Sequence, residues 1–328
     1  MANAATATLL LPARTLLAGL PLPRGLGTAL GRADALRGEA GARAQLQRHF
    51  AVLPRGWPVA ALTRAVDAAD AAGARWLRAD PAWIRPDING ARLFAAGEGL
   101  RLAREDADAL LPALQPLFGD AGMPIDAPHP SRWYLRLAPG TPLPAFAEPD
   151  EALGADLGDT LVDGGLDGAG RTACADARRW RTLLTEAQVV LHNHPWNARR
   201  AEAGKPPVNS LWFWGGGAPP DRVDAHASVV HGGDALLQGL AAKAGAAVAP
   251  LPAAFAPAPG EALYDLRDAR DGAELLRRWL EPLAGALRAG ALGSARLDFA
   301  DGTGFSLARG QRWRLWRRPL PRLDAARA

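Results

Sequence analysis

The chain has 328 residues, of which 48% are hydrophobic, so it can bury a sizeable core without disulfides or a structural metal. Its formal net charge is only +4 and nearly all of its cations are arginine, which is typical of a GC-rich genome and is weak support for nucleic-acid binding. Cys174 is the single cysteine, which excludes an intramolecular disulfide and is compatible with a reducing compartment.

The first residues predict neither a signal peptide nor a membrane span. The stretch MANAATATLLLPARTLLAG has no basic leader before its apolar run. Pro12 and Arg14 interrupt that run well short of the roughly 18 apolar residues that a bilayer span needs. We therefore expect a cytoplasmic protein that does not act at a membrane.

Strands and helices alternate along the chain, which predicts an α/β protein. TATLLLPA is typical of a buried first strand, and residues 58–73 have helical spacing between Pro58 and Gly73. Residues 75–137 predict strand, strand, helix, strand, which is a compact α+β unit. Residues 138–172 are rich in Pro, Gly and Asp and lack periodicity, so they predict a long loop or hinge.

The second half continues the alternation. A helix is predicted from about residue 175. After it, the pattern predicts strands at NSLWFW, ASVVH, AAVAPL and ALYDL, and helices at GDALLQGLAAKAG and DGAELLRRWLEPLAGALRAG. The last three segments, SARLDFA, GFSLAR and RWRLW, predict an antiparallel meander. In the basic RGQRWRLWRRPLPR, Trp313 and Leu315 alternate with Arg312, Arg314 and Trp316. That period favours an edge strand with one solvated basic face over a nucleic-acid or lipid-headgroup patch.

The order of these elements predicts an α/β core sheet flanked by helices, with an inserted α+β domain. Residues 1–74 form the first part of the core in this interpretation, and residues 205–328 form its second part. Residues 75–204 are the inserted segment, which includes the Pro/Gly/Asp-rich loop 138–172.

Residues 189–217, VVLHNHPWNARRAEAGKPPVNSLWFWGGG, concentrate the candidate functional residues. Pro195 predicts that the preceding helix breaks near Asn193 and that a short second helix begins, with Asn197 and Arg200 on one face. The following strand ends in three glycines, which allow a sharp turn or the close approach of a ligand.

A metal site is one alternative for this segment. His192 and His194 occupy alternate positions and would share an ion if further ligands were close. His226, His231 and scattered aspartates are the remaining candidates, and none has a recognisable ligand spacing.

The glycine run does not predict a dinucleotide site, because it lacks the G-x-G-x-x-G spacing and no helix start follows it. The structural alternative for the whole segment is that Trp196, Trp212 and Trp214 pack in the core while the polar residues hold the loop together.

A resemblance to a known family rests on the same segment, through the pattern of His194, Pro195, Asn197, Arg200, Gly204, Pro206, Asn209, Trp212, Trp214, Gly215 and Gly217. This pattern resembles the signature of archaeal-type cofactor-independent phosphoglycerate mutases. It is more similar still to a bacterial offshoot, the RpfE-type regulatory proteins. The resemblance covers about residues 75–250 and implies the alkaline phosphatase superfamily, an α/β core with an inserted α+β domain.

The chain lacks residues that the family's chemistry requires. The resemblance implies two divalent metals held by Asp and His, and a Ser or Thr that carries the phosphoryl group. In the family the first strand ends in Asp-Gly, whereas here it ends LLLPARTLL. The chain also has no Asp-His dipeptide, and no histidine follows His231. We therefore expect a non-catalytic, regulatory or ligand-binding relative with no cofactor, whose signature residues bind a small anionic ligand or are structural.

The alternative is a metal-dependent phosphoglycerate mutase or phosphatase with a rearranged site. Asp156, Asp159, Asp163 and Asp167 in the long loop would gather round a divalent ion, with His192 as a further candidate ligand. Acidic loops are usually only solvated, and this spacing does not match an EF-hand.

Overall fold

A computed structural model describes residues 5–87, 90–154 and 172–324 of the chain. The strands are β1 (Thr6–Leu11), β2 (Asp34–Arg37), β3 (Phe50–Leu53), β4 (Arg75–Asp87), β5 (Gly90–Ala96), β6 (Ile125–His129), β7 (Arg132–Leu137), β8 (Ser210–Gly217), β9 (Arg222–Ala225), β10 (Val229–His231), β11 (Ala247–Ala249), β12 (Glu261–Asp265), β13 (Ser294–Phe299) and β14 (Thr303–Ala308). The α-helices are α1 (Arg24–Arg32), α2 (Ala42–Gln47), α3 (Val59–Asp67), α4 (Arg104–Asp120), α5 (Pro149–Ala152), α6 (Thr172–His192), α7 (Trp196–Glu202), α8 (Ala235–Lys243), α9 (Gly272–Leu275) and α10 (Glu281–Ala289).

The chain divides into two compact units. Unit 1 consists of Met1–Arg55 and Asp221–Ala328, and unit 2 consists of Gly56–Pro220. The predicted boundaries after residues 74 and 204 therefore differ from the boundaries in the structure, which fall after residues 55 and 220.

Unit 1 contains a mixed sheet in the order β11-β10-β12-β1-β13-β14-β2. The strands from β11 to β13 are parallel, whereas β14 runs antiparallel to both of its neighbours. One face carries Leu9 and Leu11 of β1 and packs against apolar side chains of α1 and α10, such as Leu30 and Leu283. The predicted fold class, an α/β core sheet flanked by helices, is confirmed, and the structure shows that this sheet is mixed.

The long predicted helix of unit 1 contains a π-helical turn, Leu276–Leu280, between α9 and α10. Pro282 causes the change, because it has no N–H to donate to the carbonyl of Arg278 one turn earlier. The backbone N–H of Phe255 donates to that carbonyl instead, at 2.9 Å. The irregular turn therefore leaves this carbonyl satisfied.

Unit 2 is built on an antiparallel sheet whose long strand β4 pairs with β7 and β5, and also with β8. Leu110 and Leu114 of α4 and Leu184 of α6 pack against one face of this sheet. No helix in the described ranges is long and apolar enough to cross a bilayer.

Two sequence predictions are wrong in the structure. The strand at NSLWFW is β8, and it pairs with β4 from Trp76 to Ala82 instead of joining the second part of the α/β core. Its alternation specifies a strand but carries no information about the partner strand. The predicted strand RWRLW is a 3₁₀-helix, Arg309–Trp313, followed by a turn.

Candidate functional site

The His-Pro junction separates two helices as predicted. α6 ends at His192 and α7 begins at Trp196, with Pro195 in the N-cap position. His194 is half-buried, and its Nδ1 accepts a hydrogen bond from the Trp196 backbone N–H at 3.2 Å. Burial lowers the pKa of His194, which favours the neutral ring that this acceptor role requires. The side chain thus closes the start of α7.

Asn197 ties the end of α6 to the chain that leads into β8. Its Nδ2 donates to the carbonyl of Leu191 at 2.8 Å and to that of Val208 at 2.9 Å. Its Oδ1 accepts from the Val208 N–H at 2.9 Å. An amide supplies the two donors and the acceptor that this double contact needs, so the whole polar end of Asn197 is engaged within the protein.

Arg200 is almost completely buried, with 2% of its surface exposed. Its Nε donates to the carbonyl of Pro206 at 3.0 Å, and its Nη1 lies 2.7 Å from Oδ2 of Asp106. Asp106 also accepts from the Trp196 indole N–H at 2.8 Å. Burial alone would raise the pKa of Asp106, but these hydrogen bonds and the arginine outweigh it and lower the pKa. The guanidinium is therefore committed to an internal ion pair.

Asn209, which directly precedes β8, extends the pairing of β8 with β4 through its side chain. Its Oδ1 accepts from the Ile84 N–H at 2.9 Å, and its Nδ2 donates to the Ile84 carbonyl at 2.7 Å. The β8–β4 pairing ends at Ser210 and Ala82. The asparagine amide stands in for the next peptide of β8 at this point, and thereby satisfies the backbone groups of Ile84.

We expect Asn209→Ala to lower the free energy of unfolding by about 1–3 kcal/mol, because two backbone groups of Ile84 lose their partner. Urea unfolding measures the change. The matched control is Asn193→Ala, since the Asn193 amide makes a single exposed bond to the Val189 carbonyl and its loss should cost no more than about 0.5 kcal/mol. Equal losses in the two variants would contradict a framework role for Asn209.

The two strand tryptophans are packed and hydrogen-bonded. Trp212 is buried and its indole N–H donates to the Ala147 carbonyl at 3.0 Å. Trp214 donates to Asp80 at 2.7 Å, and Asp80 accepts two further bonds from the Arg78 guanidinium, each of 2.8 Å. Asp80 and Arg78 are both buried. The tryptophans therefore serve the core of unit 2 and its buried ion pair.

The glycine run is required by close packing within unit 2. A Cβ on Gly215 would lie 2.7 Å from Cβ of Val59, and Gly215 has a φ of 63°, in the left-handed region. A Cβ on Gly217 would lie 2.7 Å from Cβ of Pro58. The start of α3 thus occupies the space beside the glycines. A ligand approaching the glycines closely was one of the two roles that the sequence suggested for them.

The signature residues do not converge on one pocket. Asn209 precedes β8, whereas Gly215 lies near its other end, about 20 Å away along an extended strand. Arg200 is held at Asp106, and Asn197 at the end of α6. The described polar contacts of these side chains lie within the protein. They are what we expect if the polar residues of the segment hold the loop together.

A second candidate region is the carboxyl edge of the unit 1 sheet, where α/β proteins usually bind their ligands. Asp265 of β12 and Asp298 of β13 both stand opposite Leu10 of the central strand β1. They therefore flank β1 on the same face of the sheet, roughly 10 Å apart across two strand spacings. Position 10 itself, between the two acids, has an apolar side chain.

Asp298 is bound by the residues that follow α2. The Arg48 Nε donates to its Oδ2 at 3.0 Å and the Arg48 Nη2 to its Oδ1 at 2.6 Å, while His49 Nε2 lies 2.7 Å from Oδ2. Burial alone would raise the pKa of Asp298, but the bonds from His49 and Arg48 outweigh it and hold the pKa below its usual range. Both carboxylate oxygens are thus engaged by the Arg48 guanidinium, and one of them also by the His49 ring.

Asp265 is bound in the same way. The Arg267 Nε and Nη2 each donate to one of its oxygens at 2.7 Å. Arg267 also lies 3.2 Å from Asp234, which caps the first turn of α8. Burial alone would lower the pKa of Arg267, but the two aspartates outweigh it and raise the pKa. The acids of this edge are therefore neutralised by arginine.

A polar concavity of about 250 Å³ lies on the same face of the unit 1 sheet as Asp298. Its lining includes Thr8, His49, Glu261 and Arg296. Arg296 is 39% exposed and its Nη2 is 3.9 Å from Asp298. The concavity combines a partly free guanidinium with hydroxyl and imidazole groups, which are the donors that bind small anions.

The predicted metal candidates do not form a cluster in the described chain. In residues 5–87, 90–154 and 172–324, no group of three or more His, Cys, Asp and Glu side chains is placed to hold a metal. His192 is exposed at the end of α6. The remaining candidates lie outside the described residues: Asp156, Asp159, Asp163 and Asp167.

Sequence reasoning missed the residues of the carboxyl edge and the concavity. The available signal was the alternation in β13, where Ser294, Arg296 and Asp298 occupy every second position. A strand inside a parallel sheet covered on both faces is usually apolar throughout. A polar face on such a strand therefore indicates a surface with another role.

Comparisons with known proteins give a short match to one group of enzymes. A segment of 50 residues is 46% identical to a probable 2,3-bisphosphoglycerate-independent phosphoglycerate mutase of Geobacter sulfurreducens, covering 15% of this chain and 12% of that protein. A segment of 38 residues is 50% identical to the 2,3-bisphosphoglycerate-independent phosphoglycerate mutase of Methanosarcina barkeri, covering 12% of this chain and 10% of that protein. The match thus spans about a tenth of these relatives' length. It supports relatedness to the cofactor-independent phosphoglycerate mutases.

Solved structures give a match over most of the chain at low similarity. The cofactor-independent phosphoglycerate mutase of Thermoplasma acidophilum is 16% identical, with a TM-score of 0.39, covering 94% of this chain and 90% of that one. The PH0037 protein of Pyrococcus horikoshii is 12% identical, with a TM-score of 0.44, covering 94% and 88%. No protein-family model matches the chain.

Proposed function

We propose that this protein is a non-catalytic, regulatory or ligand-binding relative of the cofactor-independent phosphoglycerate mutases, similar in role to the RpfE-type regulatory proteins. The observation that carries the proposal is the state of Asp265 and Asp298. These acids flank the central strand of unit 1, and each is engaged at both oxygens by an arginine.

An arginine-bound carboxylate is a poor metal ligand. A divalent metal would have to displace the guanidinium of Arg48, whose side chain is only 18% exposed, and leave that charge without its partner. Breaking such a pair costs about 3–5 kcal/mol when it is buried. Metal-assisted phosphoryl transfer depends on metals that neutralise the phosphoryl charge and activate the nucleophile. The described residues of this edge do not suit that role.

We place the small anionic ligand of this proposal in the polar concavity beside Asp298. Arg296 is the cation there with exposed surface, and a guanidinium binds phosphate or carboxylate groups through paired donors. The volume of about 250 Å³ suits a small metabolite.

The catalytic alternative keeps one specific support, which is the short segment shared with proteins named phosphoglycerate mutases. In that alternative the ligands would come from the loop that holds Asp159, Asp163 and Asp167, together with His192, and a divalent metal would be needed. No cofactor is needed in the non-catalytic proposal.

The purified protein, supplied with manganese, magnesium or zinc, is expected not to interconvert 3- and 2-phosphoglycerate and not to release phosphate from generic esters. Calorimetric titration with 3-phosphoglycerate is expected to show binding that Arg296→Ala weakens. A metal-dependent turnover that Asp163→Ala or His194→Ala abolishes would overturn the proposal in favour of the enzyme. Calorimetric binding that is unchanged by Arg296→Ala would remove the concavity as the ligand site.

A further inference from the structure

A groove of about 470 Å³ in unit 1 is lined by five arginines. It lies between α1, α10 and the segment after β14, and none of its lining residues belongs to the carboxyl edge of the sheet. The arginines are Arg24, Arg32, Arg288, Arg309 and Arg312. We name this feature the arginine groove.

The arginine groove has no acidic lining residue and no carboxylate partner for its cations within the described parts of the chain. Arg32 donates to the carbonyl of Arg312 at 2.6 Å, and the Arg288 guanidinium packs against Gly25. Elsewhere in the same unit arginines are paired with aspartates, as at Asp265 and Asp298. The concentration of positive charge without a carboxylate partner therefore favours the approach of negative charge from outside the chain.

The floor of the arginine groove is apolar. Ala29 of α1, Ala284 and Leu287 of α10 and Leu307 of β14 contribute to it. A site with an apolar floor and a cationic rim matches an amphipathic anion better than a free inorganic ion.

Three large apolar side chains stand in solvent next to the arginine groove. Trp313, Leu315 and Trp316 are 68%, 71% and 77% exposed. We name residues 313–316 the tryptophan turn. The guanidinium of Arg312, which lines the groove, lies 4.9 Å from the centroid of the Trp313 ring. The two features therefore form one continuous surface.

The tryptophan turn is not a loose segment. Arg314 within it pairs with Asp34, and Arg317 donates to the Ala33 carbonyl at 3.0 Å. Farther on, the backbone packs on α1 so closely that a Cβ on Gly31 would lie 2.2 Å from the Arg318 carbonyl oxygen, and Leu320 is buried. The fold thus fixes the turn on both sides while holding its apolar side chains outward.

We propose that this surface docks on a membrane leaflet that contains anionic phospholipids. The arginine groove receives lipid phosphates, and the tryptophan turn inserts its side chains at the level of the headgroups. Tryptophan and arginine are the side chains that sit at this depth of a bilayer, since each has an apolar body and a polar end. Docking of this kind needs no spanning helix.

A bilayer matches the surface better than a folded protein partner. A stable protein interface needs about 800 Å² on each side, whereas the exposed apolar part of this surface consists of three side chains on one short turn. A lipid leaflet requires no complementary shape and supplies both the phosphates and the apolar layer. Charge complementarity and the outward tryptophans thus point to the same occupant. The sequence had instead favoured a solvated edge strand and no membrane contact.

Co-sedimentation with phospholipid vesicles tests the proposal. The purified protein is expected to sediment with vesicles of phosphatidylcholine and phosphatidylglycerol, and not with phosphatidylcholine alone. Arg288→Ala and Arg309→Ala should each weaken vesicle binding about fivefold. The double variant Trp313→Ala/Trp316→Ala should weaken vesicle binding more than either arginine variant. Added salt should release the protein.

The matched controls are Arg270→Ala and Val248→Ala, which change an exposed cation and an exposed apolar residue elsewhere in unit 1. Both control variants should bind like the wild type, and all variants should keep its unfolding temperature because the changed side chains are exposed. Failure of the folded wild-type protein to sediment with the anionic vesicles would overturn the proposal. So would binding to labelled single-stranded DNA that depends on Arg288 while vesicle binding is absent.

Discussion

The Arg200→Ala protein is expected to unfold with a free energy of unfolding about 3–5 kcal/mol below that of the wild type. The substitution leaves Asp106 without its arginine in a site where the carboxylate side chain is 5% exposed. It also removes the hydrogen bond to the Pro206 carbonyl, which fixes the chain between α7 and β8. Urea unfolding measures the loss. Because the guanidinium is internal, 3-phosphoglycerate should raise the unfolding temperature of wild type and variant by the same amount.

Arg199 provides the control one residue away. Its side chain is exposed, and its guanidinium lies 5.0 Å from the Trp196 ring centroid. Arg199→Ala should cost about 0.5–1 kcal/mol, the value of an exposed cation–π contact. An Arg200→Ala protein that keeps wild-type stability but loses a 3-phosphoglycerate-induced shift would show instead that the signature binds the ligand.

Asp298→Ala is expected to lower the free energy of unfolding by about 3–5 kcal/mol at neutral pH, since the Arg48 guanidinium loses its counter-ion and the His49 ring loses its hydrogen-bond partner. Their side chains are 18% and 11% exposed, so solvent screens the loss only in part. The effect is structural in this account. It should be the same with and without divalent metal in the buffer.

The same pair predicts a pH dependence. The folded-state pKa of Asp298 is lowered, so its contribution to stability is fully present above the unfolded-state pKa of about 3.9 and is lost as the pH falls through the folded-state value. The stability difference between wild type and Asp298→Ala should therefore be largest near neutral pH and shrink in acid. Asp268→Ala, at an acid that is 99% exposed, should change stability by less than about 0.5 kcal/mol at any pH. A difference that grows in acid would contradict the ion-pair assignment.

Local pattern was sufficient to predict most elements and the break in the signature segment. The helix at residues 58–73 is α3, and the predicted break at the His-Pro junction separates α6 from α7. Pro195 specifies that break through its own covalent geometry, without help from distant residues. Periodicity of 2 or 3.6 residues is likewise a property of a short window.

Pairing between distant segments could not be predicted in the same way. β8 has the alternation of a strand, but its partner β4 lies more than a hundred residues earlier. The local sequence of neither strand identifies the strand with which it pairs. The region between β1 and α3 was left without assigned elements, although it contains α1, β2, α2 and β3. Helix α1 contains Gly27 and Gly31, which lower helix propensity, and both are needed because the backbone near Leu320 and Arg318 packs against them.

The ion-pair partners in the candidate site could not be predicted from the sequence for a related reason. Asp106 lies in the first turn of α4, where an acid is normal, and its contact with Arg200 joins residues far apart in the chain. Arg48 and Asp298 are separated by 250 residues. Composition showed many arginines and aspartates, but only the fold shows that they neutralise each other.

Metal analysis of the purified protein shows directly whether the chain holds a divalent metal. The protein is dialysed against manganese or zinc, freed of unbound metal and measured by elemental mass spectrometry, beside Asp298→Asn and Asp163→Ala. Because Asp265 and Asp298 are held by arginines, we expect less than stoichiometric metal in all three proteins. Stoichiometric metal in the wild type that is lost in either variant would contradict the account.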